Sequence, residues 1–476
     1  MLAKAAVAAA FLPALALACH SHVERRAVNA ARAAVDRTTE QSEALILDPN
    51  QECAAYGYDP VNDLMPSYPP IWGTGTMQYD GVPQDATDMF NAIKAGIPNI
   101  APRGTRAGDM TGVVYDDNAD PACYWTETRC TTPKLKGLAP DVTRCPEPNT
   151  WGFTLDDGPN CSHNAYFDYL ESIKMKATLF YIGSNVLDWP LEAQRGLADG
   201  HEICSHTWSH PYMTAMTDEQ AFAELYFSKK AIKDILGITV RCWRPPYGDV
   251  DDRIRWIAQA LDMQTVIWTD DTFDYDWVTL GMPAIRKNYQ AIFDKQAAGK
   301  YNTSGAIVLT HEIDGGTMEL SQEMLPQMMK QFTGGVMPVG VCMNNTQPYV
   351  ETSAYTYPNY DQWTAGTRSI SLAFPTATGK VGETLIFLTG SAAPTTSALA
   401  SSSSTSSSPS TAQTTSAPSG MSRSAASSAS AKASASSAAA AHAAAQKSHS
   451  GASSDRAVLS VAAVLAGALA GAAALL

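Results

Sequence analysis

Between Asn149 and Met343, short apolar runs alternate with amphipathic stretches, and that alternation leaves few folds open. The runs are WGFTL (151–155), ATLFYIG (177–183), EICSH (202–206), TVIWT (265–269) and AIVLTH (306–311). Between them lie segments of helical period, such as HNAYFDYLESIKM, DEQAFAELYFSKKAIKDIL, DDRIRWIAQAL, MPAIRKNYQAIFDKQ and SQEMLPQMMKQF. Strands that alternate with helices pair in parallel, which predicts an α/β barrel or an open sheet. Sites in either gather where strands end at their C-termini. The unusual polar clusters sit at such ends: DDGP after WGFTL, SHTWSH after EIC, TDDTFD after TVIW and HEID after AIVLT. Acids and histidines at four strand ends favour a barrel mouth with one site.

The first cluster sets the question. In TLDDGPN two carboxylates stand side by side at the end of an apolar run and are closed off by Gly158 and Pro159. Proline cannot donate to a ladder and glycine tolerates unusual dihedrals, so the strand ends there. Two adjacent charges at a buried strand end need compensation. SHTWSH supplies His206 and His210 at a spacing that puts both imidazoles on one face of a helical turn. Two imidazoles and one carboxylate form a three-ligand set that leaves a position open for water. One aspartate then binds an ion, and the other takes a proton from water whose pKa the ion lowers.

The ends of the 476-residue chain have a different composition. Residues 1–18 carry a lysine, a short apolar run and Ala16-Leu17-Ala18, the pattern of a secretory signal peptide; a lipoprotein signal ending at Cys19 is the competing reading. Residues 391–456 are rich in Ser, Thr and Ala, lack aromatics and cannot bury a core, so a disordered, O-glycosylated stalk is expected. The uncharged tail 457–476 follows small residues and a short polar spacer, which predicts GPI attachment near Ser448, Ser450 or Gly451 and anchoring to the outer face of the plasma membrane and wall. A single membrane span is the alternative. Residues 19–144, rich in Pro, Gly, Asn and Asp, read as a loop-rich, disulfide-held extension ahead of a catalytic unit at 145–345 and a segment at 346–390. Of nine cysteines, Cys19 falls at the cleavage point, leaving eight to pair in an oxidising compartment. Sequons at Asn160, Asn302 and Asn344 also fit a secreted chain. The net charge of −14 argues against nucleic acid and is compatible with a neutral polymer.

Together TLDDGP, SHTWSH, RPPYG, DTFDY and LTH, in this order, resemble the polysaccharide deacetylases of carbohydrate esterase family 4, the NodB-homology domain. With the leader, stalk and tail, the chain looks most like a GPI-anchored fungal chitin deacetylase. The resemblance spans about Cys145 to Asn345 and implies a distorted (β/α) barrel. It implies one divalent ion, Zn2+ or Co2+ with Mn2+ able to fit, on Asp157, His206 and His210. It makes Asp156 the general base, oriented by Arg244, and His311 the general acid, held and charged by Asp274. The backbone N–H of Tyr247 would hold the oxyanion, and Leu309 would line the pocket for the acetyl methyl. The implied substrate is chitin or chitooligosaccharide, and the implied state a monomer.

Three departures from the family pattern stand out. Leu155 replaces a usual Phe, Tyr275 follows Asp274 where the family has Trp, and Glu312 follows His311 where Asp is common. Either Tyr275 forms the pocket wall, or a shifted register makes Asp276 and Trp277 the pair; the spacing from Trp268 favours Asp274 with Tyr275. Deacetylation of another acetylated glycan and a catalytically dead, wall-anchored chitin-binding scaffold are the competing functions. Other residues are expected to be structural: His201 packed beneath the metal site, His163 in a first helical turn, Cys204 in the core or a disulfide, and Asp249, Asp251 and Asp252 as the acidic start of a helix.

Overall fold

The chain was analysed as a computed structural model that describes residues 37–351 and 355–372. The signal segment, residues 352–354 and 373–390 of the post-domain segment, the stalk, the tail and the anchor candidates Ser448, Ser450 and Gly451 lie outside the described residues.

Eight parallel strands form the sheet: β1 (Thr150–Gly158), β2 (Thr178–Tyr181), β3 (Glu202–Ser205), β4 (Cys242–Trp243), β5 (Gln264–Thr265), β6 (Asp270–Asp271), β7 (Ala306–Leu309) and β8 (Gly335–Met337). Their order is β5-β4-β3-β2-β1-β7-β6, with β8 beside the first residues of β1. Every residue of β1 is buried, which is why its sequence reads as a continuous apolar run rather than an alternating one. The edge strands β5 and β6 are consecutive in the chain, so the sheet curls into a distorted barrel left open along one seam. TVIWT, expected as one strand, spans this seam. Val266 and Ile267 hydrogen-bond beside β4 and Val142, while Thr269 donates to Ile307 on the other side.

The helices cover the outside. Asp218–Leu236 starts at a Thr217 capping box and stops at left-handed Gly237, so both ends are set by local chemistry. Asn164–Ser172, Asp252–Ala260, Met282–Ala297 and Gly315–Gln331 account for the other periodic stretches.

The extension is loop-rich, with short helices, but it is not a separate body. Val61, Leu64, Tyr68, Ala86 and Trp125 share one hydrophobic cluster with Phe153 and Leu155. All eight remaining cysteines pair, as Cys53–Cys161, Cys123–Cys130, Cys145–Cys342 and Cys204–Cys242. Of the three aspartates expected to begin a helix, Asp251 caps it, accepting from Arg253 and Ile254 N–H groups, and Asp252 is its first residue. Asp249 instead takes the hydroxyl of Thr126, and Asp252 the N–H groups of Lys134 and Leu135. Buried carboxylates need such donors, and the extension provides them.

Candidate metal centre and active site

Successive side chains on a strand point to opposite faces, so two neighbouring aspartates should not share a site. β1 resolves this with a bulge. Asp156 pairs with Phe180 and Gly158 with Tyr181, leaving Asp157 as the extra residue, at φ +72°. A bulge re-aims one side chain, and here it brings Asp157 to the mouth alongside Asp156. Asn185 holds the bulge by donating to the Asp157 carbonyl at 2.8 Å. The peptide bond that follows, Gly158–Pro159, is cis.

His206 and His210 leave β3 on a loop, not on the helical turn their spacing suggested. Thr207 and His210 have φ of +68° and +57°, which no helix allows. The loop still converges both rings on Asp157. Its Oδ1 lies 3.3 Å from His206 Nε2 and 3.1 Å from His210 Nε2. Ligands about 2.0–2.1 Å from a tetrahedral ion stand about 3.3 Å apart, so the spacing fits one. The outer ring nitrogens fit as well. His206 Nδ1–H donates to the Arg244 carbonyl at 2.8 Å, and His210 Nδ1 faces the Tyr247 hydroxyl at 3.1 Å, turning each Nε2 lone pair inward. Burial, against the pull of Asp157, keeps the His210 pKa low and its ring neutral, as a ligand requires.

Asp156 sits between two partners. Arg244, fully buried, donates to Oδ1 at 2.7 Å, while Oδ2 is 3.8 Å from His206 Nε2. Phe180 and Trp268 flank the guanidinium at 4.1 and 5.6 Å from their ring centres. Across the sheet Asp156 is the register partner of His311: its N–H donates to Thr310 and its carbonyl accepts from Glu312. Parallel pairing thus places the two at neighbouring strand positions.

His311 Nδ1 lies 2.6 Å from Asp274 Oδ1, and Asp274 Oδ2 accepts the His311 backbone N–H at 2.8 Å. Burial lowers the His311 pKa, but Asp274, with Asp157 and Asp156 behind it, outweighs burial and raises it to about 10. The register Asp274 with Tyr275 holds: the Tyr275 ring stands edge-on to His311 at 5.1 Å. Trp277 turns instead to Asp314, donating to its carboxylate at 3.0 Å. Leu309 ends β7 in register with Asp271. Glu312 is buried against Gly158, with His163 Nδ1 3.4 Å away; burial, reinforced by Asp157 and Asp156, holds its pKa well above the carboxylate range.

Other residues fall away from the mouth. His201 immediately precedes β3, at the strand end opposite the histidine loop, where its Nδ1 accepts from the Ala177 N–H. His163 caps its helix rather than lying in the first turn. Asn302 and Asn344 are exposed, whereas the Asn160 amide donates to the Ile313 carbonyl. Sequence reasoning missed Glu224, a buried carboxylate on the helix Asp218–Leu236 that accepts from the N–H groups of Trp208 and Ser209 and so shapes the histidine loop. Its one local signal is an acid on the buried face of an amphipathic helix.

A triad of side chains that could hold a metal ion, Asp157, His206 and His210, thus lies between a carboxylate held by arginine and a histidine held by carboxylate. Residues 143–266 match the family described as polysaccharide deacetylase. A protein named chitin deacetylase 2, from Cryptococcus neoformans var. grubii serotype A, is 48% identical over 341 residues, covering 70% of this chain and 74% of that protein. The chitin deacetylase of Amylomyces rouxii is 45% identical over 315 residues, 65% of this chain and 74% of that one. A solved chitin deacetylase from Colletotrichum lindemuthianum aligns with a TM-score of 0.38 and 22% identity, over 43% of this chain and 92% of that chain. The chain belongs to the polysaccharide deacetylase family.

Proposed function

We propose that the chain removes the N-acetyl groups of N-acetylglucosamine units in chitin, releasing acetate and leaving chitosan. The observation that carries this is the complete set Asp156, Asp157, His206, His210, Arg244, Asp274 and His311, converging on one strand mouth in a chain related to proteins named chitin deacetylase.

Asp157, His206 and His210 would hold a divalent ion, zinc or cobalt with manganese able to fit, which supplies Lewis acidity to the amide carbonyl and to the attacking water. Asp156, held by Arg244, takes a proton from that water as the new C–O bond forms. The Tyr247 N–H donates to the developing oxyanion; the positive φ of Tyr247, +59°, turns the backbone at this point. His311, kept charged by Asp274, passes its proton to the nitrogen as the C–N bond breaks. Leu309 and Tyr275 wall the acetyl group.

The test is acetate release from chitin oligomers by the secreted chain, with metal, after chelation and as Asp156→Asn. Chelation should abolish release and zinc or cobalt restore it. The variant should bind metal yet lose about 10²–10⁴-fold in rate, the scale of general base catalysis. A metal-loaded wild type silent on chitin would sink this reading, and a panel of acetylated glycans would then separate another substrate from a dead scaffold.

The leader and the tail, with Ser448, Ser450 and Gly451 before it, support export and GPI anchoring at the outer face of the plasma membrane and wall. Release of the protein from cells by a phosphatidylinositol-specific phospholipase checks this.

A further inference from the structure

The loop that carries His210 is held from both sides by a residue about a hundred positions upstream. Arg106 Nη2 donates to the carbonyl of Ser209 at 3.1 Å and to its hydroxyl at 2.9 Å. The Arg106 carbonyl accepts the N–H of Tyr212 at 3.1 Å. One residue of the extension thus grips the chain just before and just after His210. Tyr212 in turn stacks on Tyr247 with ring centres 4.1 Å apart, and the Tyr247 hydroxyl meets His210 Nδ1.

The loop needs this support. Thr207 and His210 are both left-handed, a state that non-glycine residues keep only where the surroundings over-determine it. Glu224 supplies part of that: its carboxylate gathers the N–H groups of Trp208, Ser209 and Gly75, at 3.0, 2.8 and 2.7 Å, and the Ser209 hydroxyl at 2.6 Å. Gly75, Trp72 and Arg106 all belong to the extension, and Arg106 ties them together by also donating to the Trp72 carbonyl at 3.2 Å.

We propose that Arg106 is a positioning residue of the metal centre, so that the extension, rather than the β/α unit alone, completes the site. This rests on reading Asp157, His206 and His210 as metal ligands. Residues that orient ligands from outside are worth about 10–100-fold in metal affinity when removed. Arg106 is exposed, so its replacement excavates no core.

The experiment is a Co2+ titration of the secreted chain, read by the visible absorbance of the bound ion, with the melting temperature of the metal-free protein alongside. Arg106→Ala should weaken Co2+ binding about 10-fold or more and alter the spectrum, with the metal-free melting temperature unchanged. Arg106→Lys, which keeps one donor group, should recover part of the affinity. Co2+ affinity and spectrum within about twofold of wild type in Arg106→Ala would overturn the proposal. If that variant melts early without metal, Ser209→Ala decides, since it removes the hydroxyl contact to Arg106, together with the bond that hydroxyl gives Glu224, and leaves Arg106 itself in place; unchanged affinity there overturns the proposal equally. A wild type that binds Co2+ but leaves chitin untouched sinks the substrate reading and spares this one, whereas a wild type that binds no Co2+ removes the basis of both.

Discussion

Asp156 and Asp157 are neighbours that answer to different partners, one to an arginine and one to two imidazoles. His311 and Asp274 form the complementary pair across the mouth, and their charge state makes a testable pH argument. The folded pKa of His311, about 10, lies above the unfolded value of about 6.5. The pair's contribution to stability is therefore full below about 6.5 and is lost as pH rises through about 10. Metal-free wild type should lose melting temperature across that window more steeply than Asp274→Asn, in which the imidazolium has lost its partner. In the same variant the alkaline limb of kcat/KM should move to lower pH by more than about one unit, because an adjacent carboxylate stabilises imidazolium on that scale. A cation on Asp157 cancels part of what raises His311, so the metal-loaded protein should titrate below the metal-free one.

At the scale of elements, the end of β1 decides the site. Gly158 packs so closely on its neighbours that a Cβ there would overlap the Glu312 carboxyl and press on the Tyr181 ring. Gly158→Ala should cost about 1–3 kcal/mol, the range for overpacking, and chemical denaturation measures it. Activity should fall as well, since Asp157 is the preceding residue. Much of the framework could be read from periodicity: β2, β3 and β7 fall within their apolar runs, β1 contains its run and extends past it at both ends, and the helix Asp218–Leu236 matches its stretch because capping box and terminal glycine are local signals. The bulge could not be read, because it arises from how β1 pairs with β2 and not from residue type. The histidine loop was misread for the same reason. Spacing alone favours a helical turn, but Glu224 and Arg106, distant in sequence, hold the backbone otherwise. Asp249 looked like a helix-start acid as well, but it lies before the cap, where its carboxylate takes the Thr126 hydroxyl from more than a hundred residues upstream.

For the whole molecule, extension and sheet share one core, and covalent links follow that division. Cys53–Cys161 ties the extension to the segment after β1, and Cys145–Cys342 ties the approach to β1 to the segment after β8. Peptide mapping of the protein without reduction should recover these two pairs together with Cys123–Cys130 and Cys204–Cys242. A fragment beginning at Cys145 should fail to melt cooperatively. It would strip Asp249 of the Thr126 hydroxyl and Asp252 of the Lys134 and Leu135 N–H groups and open the cluster that Leu64, Tyr68 and Trp125 close, and a buried polar group that loses a hydrogen bond costs about 1–3 kcal/mol. Near-ultraviolet circular dichroism of that fragment checks it.

The seam has a consequence for growth. Most open sheets end in two unpaired margins, each a template on which a foreign strand can add. Here the margins β5 and β6 are successive turns of one thread, stitched by Val266 to Thr269, with Val142 laid along the β5 side. The molecule hems its own cloth and leaves little selvage on which a foreign strand could be sewn.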